Sequence, residues 1–182
     1  MSAAHPWLDL ENRPTEQLPR ELLEARIERV LTLTNMGFMA TTGKNGPICS
    51  PVEFYSQDLD IYVYPQPNSP KIKALQRDPR MSFAVANSMA GWASAFGVQL
   101  FGIGELLEPG SPDWEHGMTV FKYPSSNWEV GRPLDTVPQG LLLRLKPDRI
   151  SLTEHFLRRE GYAARQFWDR DPDKAVHRTA TV

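Results

Sequence analysis

Ser69-Pro70-Lys71-Ile72-Lys73 is the stretch of this sequence best equipped to hold an anion. Serine at the N-cap followed by proline at the first helical residue is helix-start chemistry. A helix N-terminus presents backbone N–H groups without partners and about half a positive charge. The Ser69 hydroxyl can donate as well, and Lys71 and Lys73 add full charges, so the group they would hold is a phosphate. Ser111-Pro112 repeats the helix start with no lysine behind it, so the dipeptide alone is a structural signal and the lysines carry the anion reading.

Other reactive residue types are less well placed. Cys49 lies in a strand-like stretch with no base beside it, the usual setting of a small core residue, and no catalytic residue is assigned. His5, His116, His155 and His177 lack paired spacing, so no metal site is expected. Asp58 and Asp60 stand in a polar turn, where carboxylates are favoured for backbone reasons. Trp92, before a long strand, is either a packing residue or a lid over a ligand. Arg158, Arg159, Arg165 and Arg170 with Phe167 and Trp168 make either a solvated basic tail or an arm that reaches a partner subunit.

These residues need a scaffold, and the chain is of a length that buries a sizeable core without staples. It has 182 residues, 20 Lys plus Arg against 22 Asp plus Glu, 41% hydrophobic residues and one cysteine. A net charge of -2 gives no basic field for nucleic acid or an anionic membrane. The single thiol, the lack of a signal-like N-terminus and the lack of an eighteen-residue apolar run lead to the expectation of a cytoplasmic protein. Residues 1–18 are expected to form an arm, anchored by Trp7 and Leu8, and residues 19–182 a single domain.

From Pro19, Leu22, Leu23, Ile27, Val30 and Leu31 form one helical stripe. Met36 to Thr42, the turn at 43–46 and Pro47 to Tyr55 predict a hairpin. In its second strand Ile48, Ser50, Val52 and Phe54 share one face, and Pro51 requires an edge. Ile61 to Tyr64 is a third strand, and the helix begun at Ser69 stops at Asp78-Pro79. Met81 to Ala86 is a fourth strand and Val98 to Leu107 a fifth, where Gly102 and Gly104 mark a bend or a close backbone contact. Ser111 starts a helix through Trp114, Met118 and Phe121, and a polar, proline-bearing stretch runs on to Pro138. Leu141 to Leu145 is a strand, and Ile150 to Leu152 resumes it after a turn at Pro147-Asp148. Residues 155–170 are expected to be irregular or helical. Six short strands joined mostly by hairpins, with helices between, predict a mainly β fold: an antiparallel β-barrel with helices.

The order of several pieces adds a resemblance. Gly37-Phe38-Met39-Ala40-Thr41-Thr42, Asn45-Gly46-Pro47, Ser50-Pro51-Val52, Ile61-Tyr62-Val63-Tyr64, Ser69-Pro70-Lys71, Leu75 to Arg80 and Gln99 to Gly104 follow one another as in the pyridoxamine 5'-phosphate oxidase-like, FMN-binding split-barrel family, which the chain resembles. The resemblance covers residues 36–108 and, more loosely, 139–152. It implies a six-stranded antiparallel split barrel, a homodimer with FMN in a cleft between subunits, and a two-electron oxidation or reduction of a small molecule. It implies further that Ser69 and Lys71 hold the flavin phosphate, that Ser50, Pro51 and Val52 lie along the ribityl chain and ring, that the strand ending at Tyr64 flanks it, and that the Gln99 amide faces it. The chain departs from the family where Cys49 and Phe54 replace an arginine and a lysine, where Pro70 replaces an arginine, and where Leu152 stands near an expected tryptophan. These departures argue against pyridoxamine phosphate as substrate. They leave three alternatives: the deazaflavin F420 as ligand, haem as ligand, or a flavin-binding module without turnover.

Overall fold

Apolar residues recur in this chain at the periods of an amphipathic helix and of a half-buried strand, and the computed structural model, which describes residues 13–87 and 91–174, builds both into one curled antiparallel sheet. The elements are α1 (Arg20–Thr32), β1 (Met36–Gly43), β2 (Gly46–Glu53), β3 (Tyr55–Gln57), β4 (Asp60–Val63), α2 (Pro70–Arg77), β5 (Arg80–Ala86), β6 (Phe96–Leu107), α3 (Pro112–Val120), α4 (Tyr123–Glu129), β7 (Leu142–Glu154) and β8 (Arg165–Asp169). The strand order is β2-β1-β5-β6-β7-β4-β3, with β8 paired to the second half of β7. Only Phe54 separates β2 from β3, so the two ends of the sheet meet at one corner of a half-barrel.

Alternation sorts the side chains into an inner and an outer face. Met39 and Thr41 of β1, Met81, Phe83 and Val85 of β5, and Val98 and Leu100 of β6 point inward and are buried. The α1 stripe of Leu23, Ile27, Val30 and Leu31 closes over this face, as does the short face of α2 formed by Ile72, Ala74 and Leu75. Each such aliphatic side chain contributes roughly 1.5 to 3 kcal/mol by leaving water. Pro51 lies on β2, an edge strand, as its missing N–H requires.

Gly102 and Gly104 of β6 meet backbone or core where a side chain would not fit. A Cβ on Gly102 would sit 2.8 Å from Pro147 Cα, and one on Gly104 would sit 2.6 Å from Met81 Sδ and 3.1 Å from Leu75 Cδ2. Opposite Gly102 the pairing slips: Phe101 faces Arg149 and Gly102 faces Pro147, which leaves Asp148 as a bulge. The expected turn at Pro147-Asp148 is therefore a kink inside one 13-residue strand.

The sheet has two strands beyond the six expected, β3 and β8. The tail, expected to be irregular or helical, is a 3-10 helix only over His155–Glu160 and then forms β8. A buried glutamine hid this strand. Gln166 points inward beside Trp168, its Oε1 accepts from Leu18 N at 2.7 Å and its Nε2 donates to Ala163 O at 2.7 Å, so a polar residue fills an apolar position by satisfying backbone. Residues 13–18 thereby lie against β8, and the Ala163 N–H donates to Glu16 O at 2.8 Å. Trp7 and Leu8 lie outside the described residues. The stretch after α3 also holds more structure than expected: α4 is closed off by buried Asn127, which donates to Pro133 O and Thr136 O. Among the described residues no helix is long and apolar enough to cross a membrane.

Candidate cofactor site

β4 delivers the chain to α2 through Pro65 to Asn68, with Asn68 turning at a positive φ of 59° that asparagine tolerates. Ser69 takes the N-cap with an extended backbone and Pro70 opens the helix. The first intrahelical bond is Lys73 N to Ser69 O at 3.1 Å, so the N–H groups of Lys71 and Ile72 have no acceptor within the helix. Ser69 Oγ does not cap them: it is buried and has no hydrogen-bond partner among the described residues. The other Ser-Pro start behaves differently, because Ser111 Oγ accepts from Trp114 N at 3.3 Å. The same dipeptide is spent on its own helix in α3 and is left with spare hydrogen-bonding capacity in α2.

The helix separates the two lysines that follow Ser69. Two residues turn about 200° around an α-helix, so Lys71 and Lys73 point apart. Lys73 lines up with Pro70 and Arg77 towards the β1–β2 turn, whereas Lys71 is half-buried near the helix start.

The residues expected along the cofactor fall on both faces of β2. Val52 is buried in the core opposite Gly37, Ser50 is half-buried on the same face opposite Met39, and Pro51 is exposed on the outer face opposite Phe38. The Tyr64 side chain points elsewhere: its ring lies 5.9 Å from Phe121 and its hydroxyl fills the space that a Cβ of Gly140 would need. Its backbone is what remains for a ligand beside α2.

Gln99 stands on the outer face of β6. Across the sheet its row reads Pro51, Phe38, Ala84, Gln99, Ser151, Phe167, so Gln99 lies three strands, about 14 Å, from Pro51. Its amide makes no hydrogen bond with a described residue, and the neighbouring Ser151 Oγ is buried without a partner among them. The next row holds Cys49, Ala40, Ser82, Phe101 and Arg149, with the Arg149 guanidinium 4.5 Å from the Phe101 ring centre. At this second row Ala40 and Ser82 lie in a shallow depression of about 780 Å³ that Arg80, Phe101, Ile103 and Arg149 also line and that does not include Gln99, while Phe38 at 52% and Ile103 at 37% exposure are large exposed apolar residues of this face. Sequence reasoning passed over Ser151 and the flat strip of Ala40, Ser82 and Ala84. Their signal is small residues at alternate positions of neighbouring strands, which only the register brings together.

The remaining candidates lie apart from these two places. His116 packs edge-on against Tyr62, His155 is buried at the end of β7, and Cys49 is exposed on β2. No cluster of three metal-ligating side chains occurs among the described residues. Arg170 is held by Asp60 at 2.6 Å and by Pro147 O, and Trp168 by Glu24, so part of the basic tail is folded onto its own subunit. The Trp92 side chain lies outside the described residues.

The sequence family described as pyridoxamine 5'-phosphate oxidase matches residues 23–154. No curated protein matches the chain. Among solved structures, a haem-binding protein from Mycobacterium smegmatis aligns with a TM-score of 0.61 at 19% identity over 85% of this chain, which spans 60% of that protein. An FAD-binding protein from Mesorhizobium loti aligns with a TM-score of 0.58 at 20% identity over 75% of this chain and 95% of its own. The haem storage protein HutZ from Vibrio cholerae aligns with a TM-score of 0.52 at 18% identity over 72% and 91%. The half-barrel is thus a split barrel, and with the family match covering the barrel from α1 to the end of β7, the chain belongs to the pyridoxamine 5'-phosphate oxidase-like family.

Proposed function

We propose that this protein is a flavin-dependent oxidoreductase that binds a flavin nucleotide, FMN or a form that contains it, between two copies of the chain and acts on a small molecule other than pyridoxamine phosphate. The start of α2 carries the reading: a buried Ser69 Oγ without a partner among the described residues, two amides free of the helix and the Lys71 charge suit the phosphate of a flavin nucleotide. The residues present fit the group. Ser69 and Lys71 would hold the phosphate, the backbone of Ser50, Pro51 and Val52 and that at Tyr64 would flank the ribityl chain and ring, and Gln99 would meet a polar edge with an amide that both donates and accepts. Bound flavin would supply the two-electron chemistry, and the protein position and electrostatics, so no side-chain acid or base is named.

The second copy belongs to the same reading. The outer face of β1, β5 and β6 exposes Phe38 and Ile103 around small residues, a surface suited to pairing with itself. Relatives of this fold bind haem as well as FAD. Flavin is preferred here because the start of α2 suits a phosphate, which a flavin nucleotide carries and haem does not. An absorption spectrum of the purified protein, repeated on the supernatant after denaturation, tests the proposal. A two-banded flavin spectrum with a released flavin nucleotide is expected, and comparison of the supernatant with authentic FMN and FAD shows which one. A colourless protein that takes up no added FMN overturns it, and F420 and haem are then titrated. Reduction of the bound flavin by NAD(P)H and reoxidation by an acceptor separate an enzyme from a flavin-binding module.

A further inference from the structure

Between α2 and the β1–β2 turn runs a groove of about 400 Å³ whose walls include Lys44, Pro47, Ile48, Pro70, Lys73 and Arg77. It starts at Pro70, the residue next to Ser69, and follows α2 to Arg77, a length of about 10 Å at the helical rise. Lys44 faces it from the turn. No residue lining it is acidic, and among the described residues no ion pair engages Lys44, Lys73 or Arg77. The carboxylate adjacent in sequence, Asp78, is taken by Arg80 at 2.7 Å, which holds its pKa down at about 2. Three uncompensated cations around one groove, in a chain of net charge -2, form a local field that attracts an anion.

We infer that this groove receives an anionic extension of the cofactor, a second phosphate in anhydride linkage to the one at Ser69, so that the chain prefers a flavin dinucleotide to the mononucleotide. The inference rests on the flavin reading above and changes which flavin is bound. Lys73 and Arg77 stand one helical turn apart along the groove, where a diphosphate leaving the helix N-terminus would pass, and each would give it a charge-assisted hydrogen bond. Pro47, Ile48 and Pro70 provide apolar wall for the adenosine that follows.

The test is a flavin-fluorescence titration of the full chain with FMN and with FAD at one ionic strength, for the wild type and for the Lys73→Ala/Arg77→Ala double variant. Both residues are exposed, and a matching circular dichroism spectrum checks the fold. The wild type is expected to bind FAD at least tenfold more tightly than FMN. The double variant is expected to lose that advantage while keeping its FMN affinity. Equal affinity of the wild type for the two flavins, or an equal loss of both in the variant, overturns the inference and leaves the flavin reading standing. If neither flavin binds, the flavin reading falls and ADP becomes the probe of the groove: salt-sensitive binding lost in the double variant sustains a diphosphate site, and absence of binding removes it.

Discussion

At the scale of single residues, two serines in one sequence context do different things. Ser111 Oγ caps α3, and Ser69 Oγ caps nothing. Ser111→Ala should therefore cost about 1 kcal/mol of stability, as lost caps do. Ser69→Ala should leave the urea midpoint within error and weaken FMN binding instead. Lys71→Ala should weaken FMN roughly tenfold to a hundredfold, the worth of a charge-assisted hydrogen bond of about 1.5 to 3 kcal/mol. Titration of released and rebound FMN reads both variants, and unchanged affinity in Lys71→Ala would remove the phosphate from α2. The sequence made the helix start legible because Ser-Pro and the lysines are local signals. It could not show that Lys73 turns away, since that needs the helix phase and the neighbouring turn.

At the scale of elements, the strands that local alternation defined came through at nearly their expected positions, and the misread ones depended on distant partners. β8 is held by Gln166 bonding to a segment almost 150 residues away, which no local pattern reports. The β6–β7 bulge was half legible: two glycines announced a close contact, but its partner, the kink at Asp148, looked like a turn. Gly102→Ala should force β7 away from β6 and destabilise the fold by about 1 to 3 kcal/mol, read as a lower urea midpoint. The end of β7 also sets a pH dependence. Burial, with Arg158 and Arg13 adding to it, holds the His155 pKa below its ordinary 6.5, so the unfolded chain binds that proton first. Stability should accordingly fall as pH drops from 7.5 through about 6, and His155→Gln should flatten this part of the curve. Neighbouring Glu154 works the other way at lower pH: burial, only partly offset by Arg26, raises its pKa above 4.5, so its protonation on further acidification favours the folded state. Urea midpoints measured at intervals between pH 7.5 and 4 in both proteins check the sign of each step.

At the scale of the whole molecule, the split barrel puts its core on one face of the sheet and leaves the other face half covered. α1 and α2 close the inner side, while Phe38, Ala40, Ser82, Ala84, Gln99 and Phe101 remain on the outer side of the neighbouring strands β1, β5 and β6. Alternation in the sequence identifies that outer set as the non-core positions, yet it cannot distinguish a solvated face from one awaiting a second copy. The exposed Phe38 ring and the buried Ser151 Oγ, which has no partner among the described residues, favour a covered face. Phe38→Glu places a charge at the centre of that surface without touching the core, because its neighbours across the strands are Pro51 and Ala84 on the outer side. If two copies pair through this face, sedimentation velocity will show a dimer for the wild type and a folded monomer for the variant. Because the proposed flavin lies between the copies, the monomer should also lose most of its FMN although Ser69 and Lys71 are intact. A variant that stays dimeric with its flavin in place would move the interface elsewhere on the barrel. A variant that becomes monomeric and keeps its flavin would assign the whole cofactor site to one chain, with Gln99 outside it.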